Sequence, residues 1–286
     1  FADVAPIGGG FGGMLWGSAG ITIPWECYLQ YRDIALLEEH YPAMKNYTQY
    51  LVDKCVNKET GIFDQGPAWP GNLGDWLAPE NLKNDATLLW DAYFIYDLDI
   101  MRQVAGILGH KDDSVRYAGL RDERVSFFNR TYIDPATGKT RFAGQDKLVD
   151  TQTSYLLPLA FLELPEDLQQ KAVKHLLEAI ERSNYHLQTG FLGTPLLCNV
   201  LSNFGHNDIA YRLYTQTEYP SWLFPVKQGA TTMWERWNSY TIKEGFGEVS
   251  MNSFNHYAYG AIEEWIMSHN LGIQRDENRP RYKHIL

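Results

Sequence analysis

Three segments of the chain place carboxylates, an imidazole or a guanidinium among aromatic side chains. They are GDWL at residues 74–77, ATTMWERW at residues 230–237 and MNSFNHYAYG at residues 251–260. Aromatic rings stack on the flat faces of pyranose sugars and charged groups bind sugar hydroxyls, so this mixture is typical of carbohydrate sites. Surroundings that exclude water also shift pKa values and strengthen hydrogen bonds. Catalytic and binding residues are therefore expected in these segments.

Glu235 is the candidate general base. It lies between Trp234 and Trp237 and is followed directly by Arg236. A carboxylate that a neighbouring guanidinium keeps ionised can remove a proton from water. The alternative is a structural salt bridge between Glu235 and Arg236 beneath the two indoles, and the spacing favours both interpretations equally.

His256 and Asp75 are two further candidates. The simpler interpretation of His256 is a hydrogen-bonded core histidine near the start of a helix, and that of Asp75 is a turn residue before Trp76. Asp75 lies, however, in a predicted loop over residues 58–84 that is rich in proline and glycine. Loops of this length in compact domains are usually functional, which favours a role in binding.

Composition excludes several classes of partner. The 25 basic and 35 acidic side chains give a formal net charge of −10, which repels nucleic acid and anionic lipid surfaces. Because no apolar run reaches the roughly 18 residues of a membrane span, a soluble protein is expected.

The three cysteines form no CxxC pair and have no histidine at metal-ligand spacing, so they are predicted to be buried thiols and no metal or cofactor is predicted. The sequence begins with Phe1, without a methionine or an export signal, so we expect the chain to begin inside a longer protein or after a removed signal. Both a cytoplasmic and an exported location stay open.

Apolar residues recur at helical spacing over most of the chain, and almost no segment alternates with the period of a strand. The predicted helices cover residues 23–39, 44–52, 85–109, 112–132, 151–162, 165–183, 195–203, 207–217 and 252–270, with a turn at Pro42 between the first two. We expect an all-α toroid of helical hairpins with the long loops at one mouth. A solenoid is the alternative, but its repeats of about 34 to 47 residues should leave recurring signatures, and none is found.

A series of longer motifs resembles the bacterial α-L-rhamnosidases of glycoside hydrolase family seventy-eight in both order and spacing. The motifs are IPW at residues 23–25, GDWL at 74–77, TQT at 151–153, GFLGTP at 190–195, YPSWLF at 219–224, GATTMWERW at 229–237 and MNSFNHYAYG at 251–260. The resemblance covers nearly the whole chain, and such a series of long motifs is highly specific.

The resemblance implies a six-hairpin (α/α)6 toroid, incomplete at its N-terminal end, and inverting hydrolysis that releases terminal α-L-rhamnose from glycosides or polysaccharides. Glu235 falls where this family has its general base, and His256 falls at a sugar contact. Asp75 and Trp76 would line the rhamnose pocket. Trp234, Arg236 and Trp237 would support the base or the sugar.

The chain departs from the family pattern at both ends. The family's general acid lies in an Asp-Cys-Pro-x-Arg-Glu type motif that does not occur here, so the acid is expected upstream of Phe1. The β-sandwich that usually follows the toroid is also missing. We therefore expect residues 1–286 to be a single catalytic domain from a larger enzyme. A sugar epimerase with paired histidines on the same toroid, or a carbohydrate-binding module without hydrolysis, are the alternatives.

Overall fold

The computed structural model describes residues 13–64, 74–79, 84–282 and 284–285. Its α-helices are α1 Gly13–Trp16, α2 Ala19–Tyr31, α3 Ile34–Tyr50, α4 Ala86–Ile107, α5 Lys111–Tyr132, α6 Gln152–Phe161, α7 Glu166–Arg182, α8 Thr194–Asn203, α9 Asn207–Tyr214, α10 Leu223–Lys227 and α11 Ile262–Trp265. Short π-helical turns cover Leu51–Cys55 and Ile266–Asn270, and 3₁₀ turns cover Val249–Met251 and Ala258–Ala261. Within the described residues, paired strands are limited to β1 Tyr240–Thr241 and antiparallel β2 Gly245–Phe246. The all-α prediction is confirmed.

Polar side chains fix the starts of the main helices. The Asp33 carboxylate accepts the Leu36 N–H at 3.2 Å at the start of α3, and the Asp85 carboxylate accepts the Thr87 N–H at 2.9 Å at the start of α4. Thr151 forms a reciprocal capping box with Ser154 at the start of α6. Each cap satisfies backbone donors that have no partner inside the helix, so the helix begins at that residue.

The predicted turn at Pro42 is wrong. Pro42 lies inside α3, and the break between α2 and α3 comes earlier, at Arg32 and Asp33. Arg32 ends α2 in a left-handed conformation (φ 56°), and Asp33 caps the next helix. The buried side chains of Tyr41 and Met44 hold α3 in the core on both sides of the proline. Their burial offsets the backbone hydrogen bond that proline removes.

The predicted helix over residues 252–270 begins later than expected. Residues 252–257 form a loop, and helical structure starts at Ala258–Ala261. The backbone of this loop is paired with residues 232–236 instead of with itself. This difference matters because His256 consequently lies in the loop and not at a helix start.

Consecutive helices pack as hairpins that form two layers. The pairs are α2 with α3, α4 with α5, α6 with α7 and α8 with α9, while α2, α4, α6, α8 and α11 also pack against one another in that order. The inner helix α6 buries eight of its ten residues, whereas the outer helix α7 buries only a stripe at helical spacing, Ala172, His175, Leu176, Ala179 and Ile180. A helix that is buried on all sides belongs in the core, and one with a single apolar stripe covers it from outside.

The segment after α11 returns to α2. The Arg275 guanidinium lies 2.9 Å from the Glu26 carboxylate of α2, and the Arg281 N–H donates to the Leu29 carbonyl at 3.2 Å. The segment after α11 therefore links the row of inner helices back to its first member, which confirms the toroid and not the solenoid. Cys55 and Cys198 are buried free thiols, as predicted, whereas Cys27 is half-buried. Across the described ranges, no helix is both long and apolar enough to cross a bilayer.

The loops that precede the inner helices meet at one end of the ring. Thr151, before α6, hydrogen-bonds Asn84, which precedes α4. Thr153 in α6 and Gly193 before α8 both hydrogen-bond Asp75. We call this end the mouth and define it by residues 74–79, 190–193 and 230–257. Residues 74–79 of the predicted long loop belong to the mouth, and residues 65–73 and 80–83 lie outside the described residues.

Candidate active site

Two segments of the mouth, residues 232–236 and 251–256, run antiparallel and share backbone hydrogen bonds. The Glu235 N–H donates to the Ser253 carbonyl at 2.9 Å, and the His256 N–H donates to the Met233 carbonyl at 2.9 Å. The Thr232 hydroxyl adds a bond to the Phe254 carbonyl at 2.5 Å. Glu235 and His256, which are 21 positions apart in the sequence, are thereby placed on neighbouring backbone segments.

The Glu235 side chain is half-buried and is anchored at one oxygen. Its Oε2 accepts the Ser253 N–H at 2.8 Å. Its other oxygen has no hydrogen-bond partner among the residues that the structure describes. A carboxylate that is oriented by one backbone donor and keeps a free oxygen beside solvent can accept a proton from water.

The two indoles beside Glu235 anchor its segment in the protein. Trp234 and Trp237 are 6% and 3% exposed. Trp234 meets Phe254 edge-on at a centroid distance of 5.3 Å. Trp237 stacks on Tyr259 at 3.9 Å with an interplanar angle of 11°. Because both rings are buried against protein aromatics, they support the segment that carries Glu235, and a direct contact of either ring with a sugar stays a prediction.

Arg236 does not pair with Glu235. Its Nε donates to the Met251 carbonyl at 2.9 Å, and its Nη2 lies 3.7 Å from the Met251 sulfur. Within the described part of the chain no ion pair joins Arg236 to Glu235, so the structural salt bridge considered from the sequence is wrong. The guanidinium instead ties residues 232–236 to residues 251–256, because its planar donors reach across to the second segment.

The imidazole of His256 is held between two rings. It lies 4.8 Å from Phe191 and 5.7 Å from Tyr257, which is nearly parallel to it at 8°. Nδ1 accepts the Ala258 N–H at 3.3 Å, which places the proton of a neutral ring on Nε2. His256 is half-buried and belongs to a mouth loop, so it is not the core histidine of the simpler interpretation. No second histidine among the described residues shares a hydrogen bond or ring contact with it, in contrast to the paired histidines of the epimerase alternative.

The carboxylate of Asp75 is surrounded by donors from the protein. Oδ1 accepts the N–H groups of Leu192 at 2.9 Å and Gly193 at 3.2 Å. Oδ2 accepts the Gly190 N–H at 2.8 Å and the Thr153 hydroxyl. Burial raises the pKa of Asp75 above its ordinary value, and these hydrogen bonds act in the opposite direction. Since two donors occupy each oxygen, little acceptor capacity is left for a sugar, and the predicted sugar contact stays a prediction.

Trp76 presents its indole at the mouth. The residue is 37% exposed, while its carbonyl accepts the Phe191 N–H at 2.9 Å. The backbone is therefore fixed and the ring remains accessible, which suits a surface on which a sugar ring can stack.

Three residues in or next to the mouth were not selected as candidates from the sequence. Ser253 orients Glu235, Phe191 packs against His256, and the Tyr259 hydroxyl donates to the Leu77 carbonyl at 3.2 Å. All three lie in motifs quoted above, but their partners are 18 to 182 residues away. The motifs therefore indicated which segments form the site but not which residues contact each other.

Comparison with known proteins identifies the family. Residues 1–269 match the model of the bacterial alpha-L-rhamnosidase 6 hairpin glycosidase domain. An alpha-L-rhamnosidase of Formosa agariphila is 38% identical over 264 residues, which are 90% of this chain and 27% of that protein. An alpha-L-rhamnosidase of Streptomyces avermitilis is 37% identical over 275 residues, 96% of this chain and 25% of that protein.

Solved structures show the same fold. The crystal structure of the Streptomyces avermitilis alpha-L-rhamnosidase complexed with L-rhamnose superposes with a TM-score of 0.87 at 36% identity, covering 100% of this chain and 26% of that one. Native alpha-L-rhamnosidase from Aspergillus terreus gives a TM-score of 0.79 at 30% identity, covering 89% of this chain and 29% of that one. This chain thus spans about a quarter of the length of the relatives it matches. The toroid described above, with its mouth loops, belongs to the family of bacterial alpha-L-rhamnosidase six-hairpin glycosidase domains.

Proposed function

We propose that this chain is a single catalytic domain of a larger enzyme that releases terminal α-L-rhamnose from glycosides or polysaccharides with inversion. Two relatives named alpha-L-rhamnosidase cover at least 90% of the chain, and one related structure holds L-rhamnose. The observation that carries the proposal is the Glu235 carboxylate, oriented by the Ser253 N–H with its second oxygen free of protein partners among the described residues.

In the proposed reaction, Glu235 removes a proton from water as the water oxygen bonds to the anomeric carbon. The bond from that carbon to the leaving oxygen breaks, and a general acid protonates the leaving oxygen. Inverting glycosidases hold these two carboxyl groups about 6.5 to 9.5 Å apart, which leaves room for the water. We place the general acid upstream of Phe1. The reaction needs water and two carboxyl groups and no cofactor or metal.

The other site residues bind and orient the sugar in this proposal. His256 donates its Nε2 proton to a sugar hydroxyl, and the exposed Trp76 ring stacks on the sugar face. Trp234, Trp237 and Arg236 keep the Glu235 segment in place through the aromatic and Met251 contacts described above.

Glu235→Gln tests the base directly. The amide keeps the shape of the side chain but cannot accept a proton from water, so we expect kcat to fall by about 10²- to 10⁴-fold. Release of nitrophenol from nitrophenyl α-L-rhamnoside by a purified protein that contains this chain measures the effect, and calorimetry with free rhamnose should show retained binding. Glu123→Gln, which changes an exposed carboxylate in the middle of α5 and outside the mouth, is the matched control and should keep wild-type kcat. Wild-type turnover in Glu235→Gln removes this residue from the mechanism.

The same assay separates hydrolysis from the binding-module alternative. Rhamnose affinity without nitrophenol release, in a protein that also contains the segment upstream of Phe1, favours the binding module. Turnover with inverted configuration of the released rhamnose, read by proton NMR immediately after mixing, supports the hydrolase.

A further inference from the structure

We propose that Asp75 is a positioning residue whose carboxylate holds the turn at residues 190–193, so that Phe191 packs against the imidazole of His256. The inference rests on the proposed function, because it assigns a role to Asp75 in that same site. It replaces a direct sugar contact of Asp75 by an action through two intervening residues.

The turn at residues 190–193 requires a carboxylate at position 75. Three backbone N–H groups within four consecutive residues, those of Gly190, Leu192 and Gly193, converge on the two oxygens of Asp75. Thr153 of α6 supplies the fourth donor. Convergent N–H groups at the start of a helix form a concave site for negative charge. An asparagine would turn an NH₂ group toward two of these donors, so only a carboxylate satisfies all of them.

The backbone of this turn lies very close to the backbone of residues 75–78. The Phe191 N–H donates to the Trp76 carbonyl at 2.9 Å. A Cβ atom on Gly190 would lie 2.2 Å from the Trp76 carbonyl oxygen and 2.6 Å from that of Asp75. The turn is therefore pressed directly onto residues 75–78, and its position depends on contacts that begin at Asp75.

The turn contacts the proposed active site through the side chain of Phe191. The Phe191 ring lies 4.8 Å from His256 and meets Tyr259 edge-on at 5.2 Å. Glu235 has its own anchor at Ser253, which does not involve this turn. Loss of the Asp75 carboxylate should thus disturb the imidazole that orients the sugar and leave the proposed base in place.

Because the turn contacts His256 and not Glu235, sugar binding should be affected more than catalysis. Asp75→Asn should raise KM for nitrophenyl α-L-rhamnoside and the dissociation constant of rhamnose by about 10-fold or more, with a smaller fall in kcat. Phe191→Ala should reproduce the effect by removing the ring that touches His256. Because both changes act through one contact, the double variant should be no worse than the more affected single variant.

The test combines kinetics with a readout of the imidazole. KM, kcat, the rhamnose dissociation constant and the NMR signals of the His256 ring are measured for wild type, Asp75→Asn, Phe191→Ala, the double variant and Asp91→Asn. Asp91 is the matched control, since it is a fully buried carboxylate that Arg124 binds between α4 and α5, and no described residue of the mouth donates a hydrogen bond to it. It should change the unfolding temperature and leave KM and the His256 signals unchanged.

Two outcomes overturn the inference. One is an Asp75→Asn protein that melts earlier but keeps wild-type KM and His256 signals, and the other is full additivity of the Asp75 and Phe191 effects. If Asp75→Asn does not fold, Phe191→Ala still decides, because unchanged KM and His256 signals in that variant sink the proposal. Absence of turnover in the wild type, by contrast, counts against the proposed hydrolysis, while the His256 signals continue to report on the positioning contact.

Discussion

The carboxylate of Asp97, in the middle of α4, has no exposed surface. Its Oδ2 accepts the Ser18 hydroxyl at 2.7 Å, and its Oδ1 has no partner among the described residues. Burial raises the pKa of Asp97 well above its ordinary value. An acid whose pKa is raised in the folded state stabilises the fold most at low pH, and this contribution is lost as the pH rises through the folded-state pKa.

We therefore expect Asp97→Asn to gain stability relative to wild type as the pH rises above about 4, the ordinary pKa of an aspartate. Urea unfolding at a series of pH values measures the difference. Asp134→Asn is a control of opposite sign, because hydrogen bonds from Thr137 lower the pKa of Asp134. The stability that Asp134 contributes is present above its unfolded-state pKa and is lost as the pH falls. A pH-independent difference for Asp97→Asn contradicts the prediction.

Single residues also show what sequence can and cannot reveal. Glu235 and His256 could be selected as candidates because their residue types and aromatic neighbours are local features of the sequence. The direction of Arg236 could not be found, because it depends on the carbonyl of Met251, 15 residues further along. The donors to Asp75 come from residues 78 to 118 positions away, so nothing near Asp75 in the sequence announces them.

At the scale of elements, helix positions were predictable where local caps fix them. Asp85 and Thr151 mark the starts of α4 and α6 as expected. Pro42 misled because burial of its neighbours in α3 outweighs its local preference. Residues 252–257 misled because they have helical spacing but pair with residues 232–236, and this partner is visible only in three dimensions.

The turn at residues 190–193, before α8, has no space for a side chain at Gly190. Gly190→Ala would bring a Cβ to 2.2 Å from the Trp76 carbonyl oxygen, so the turn must move away from residues 75–78. We expect loss of most of the proposed rhamnosidase activity and a lower unfolding temperature. Gly119→Ala is the control, since its Cβ would meet no atom within 4 Å on the exposed side of α5. That substitution should stabilise by up to about 1 kcal/mol, the helix preference of alanine over glycine. Wild-type activity in Gly190→Ala contradicts the close approach.

At the scale of the whole molecule, Arg275 helps to close the ring. Its side chain is 17% exposed and pairs with Glu26 at 2.9 Å and Glu277 at 3.5 Å. Burial and the nearby Glu26 raise the pKa of Glu264, and Arg275 acts against this rise. The guanidinium therefore balances several carboxylates where the segment after α11 meets α2.

Arg275→Met should lower the free energy of unfolding by about 1 to 3 kcal/mol at neutral pH, because it removes the donor to Glu26 and the positive charge beside Glu264. Part of this loss should disappear as the pH falls and Glu264, whose pKa is raised, becomes protonated. Arg182→Met, which removes a 48% exposed arginine from Asp150, should cost less than about 1 kcal/mol. Equal losses in the two variants, measured by urea unfolding, contradict a specific role of Arg275 in closure.

The hairpin architecture also sets an order in which contacts can form. The two helices of a hairpin such as α4 and α5 are joined by a few residues, whereas the bonds from Gly190 to Asp75 and from Tyr259 to Leu77 span 115 and 182 residues. Long loops cost more entropy to close, so the local hairpins can assemble before these long-range bonds. Hydrogen exchange should accordingly protect the amides inside α4 more strongly than those of residues 190–193. The mouth would then be the last part of the toroid to form and the first to open.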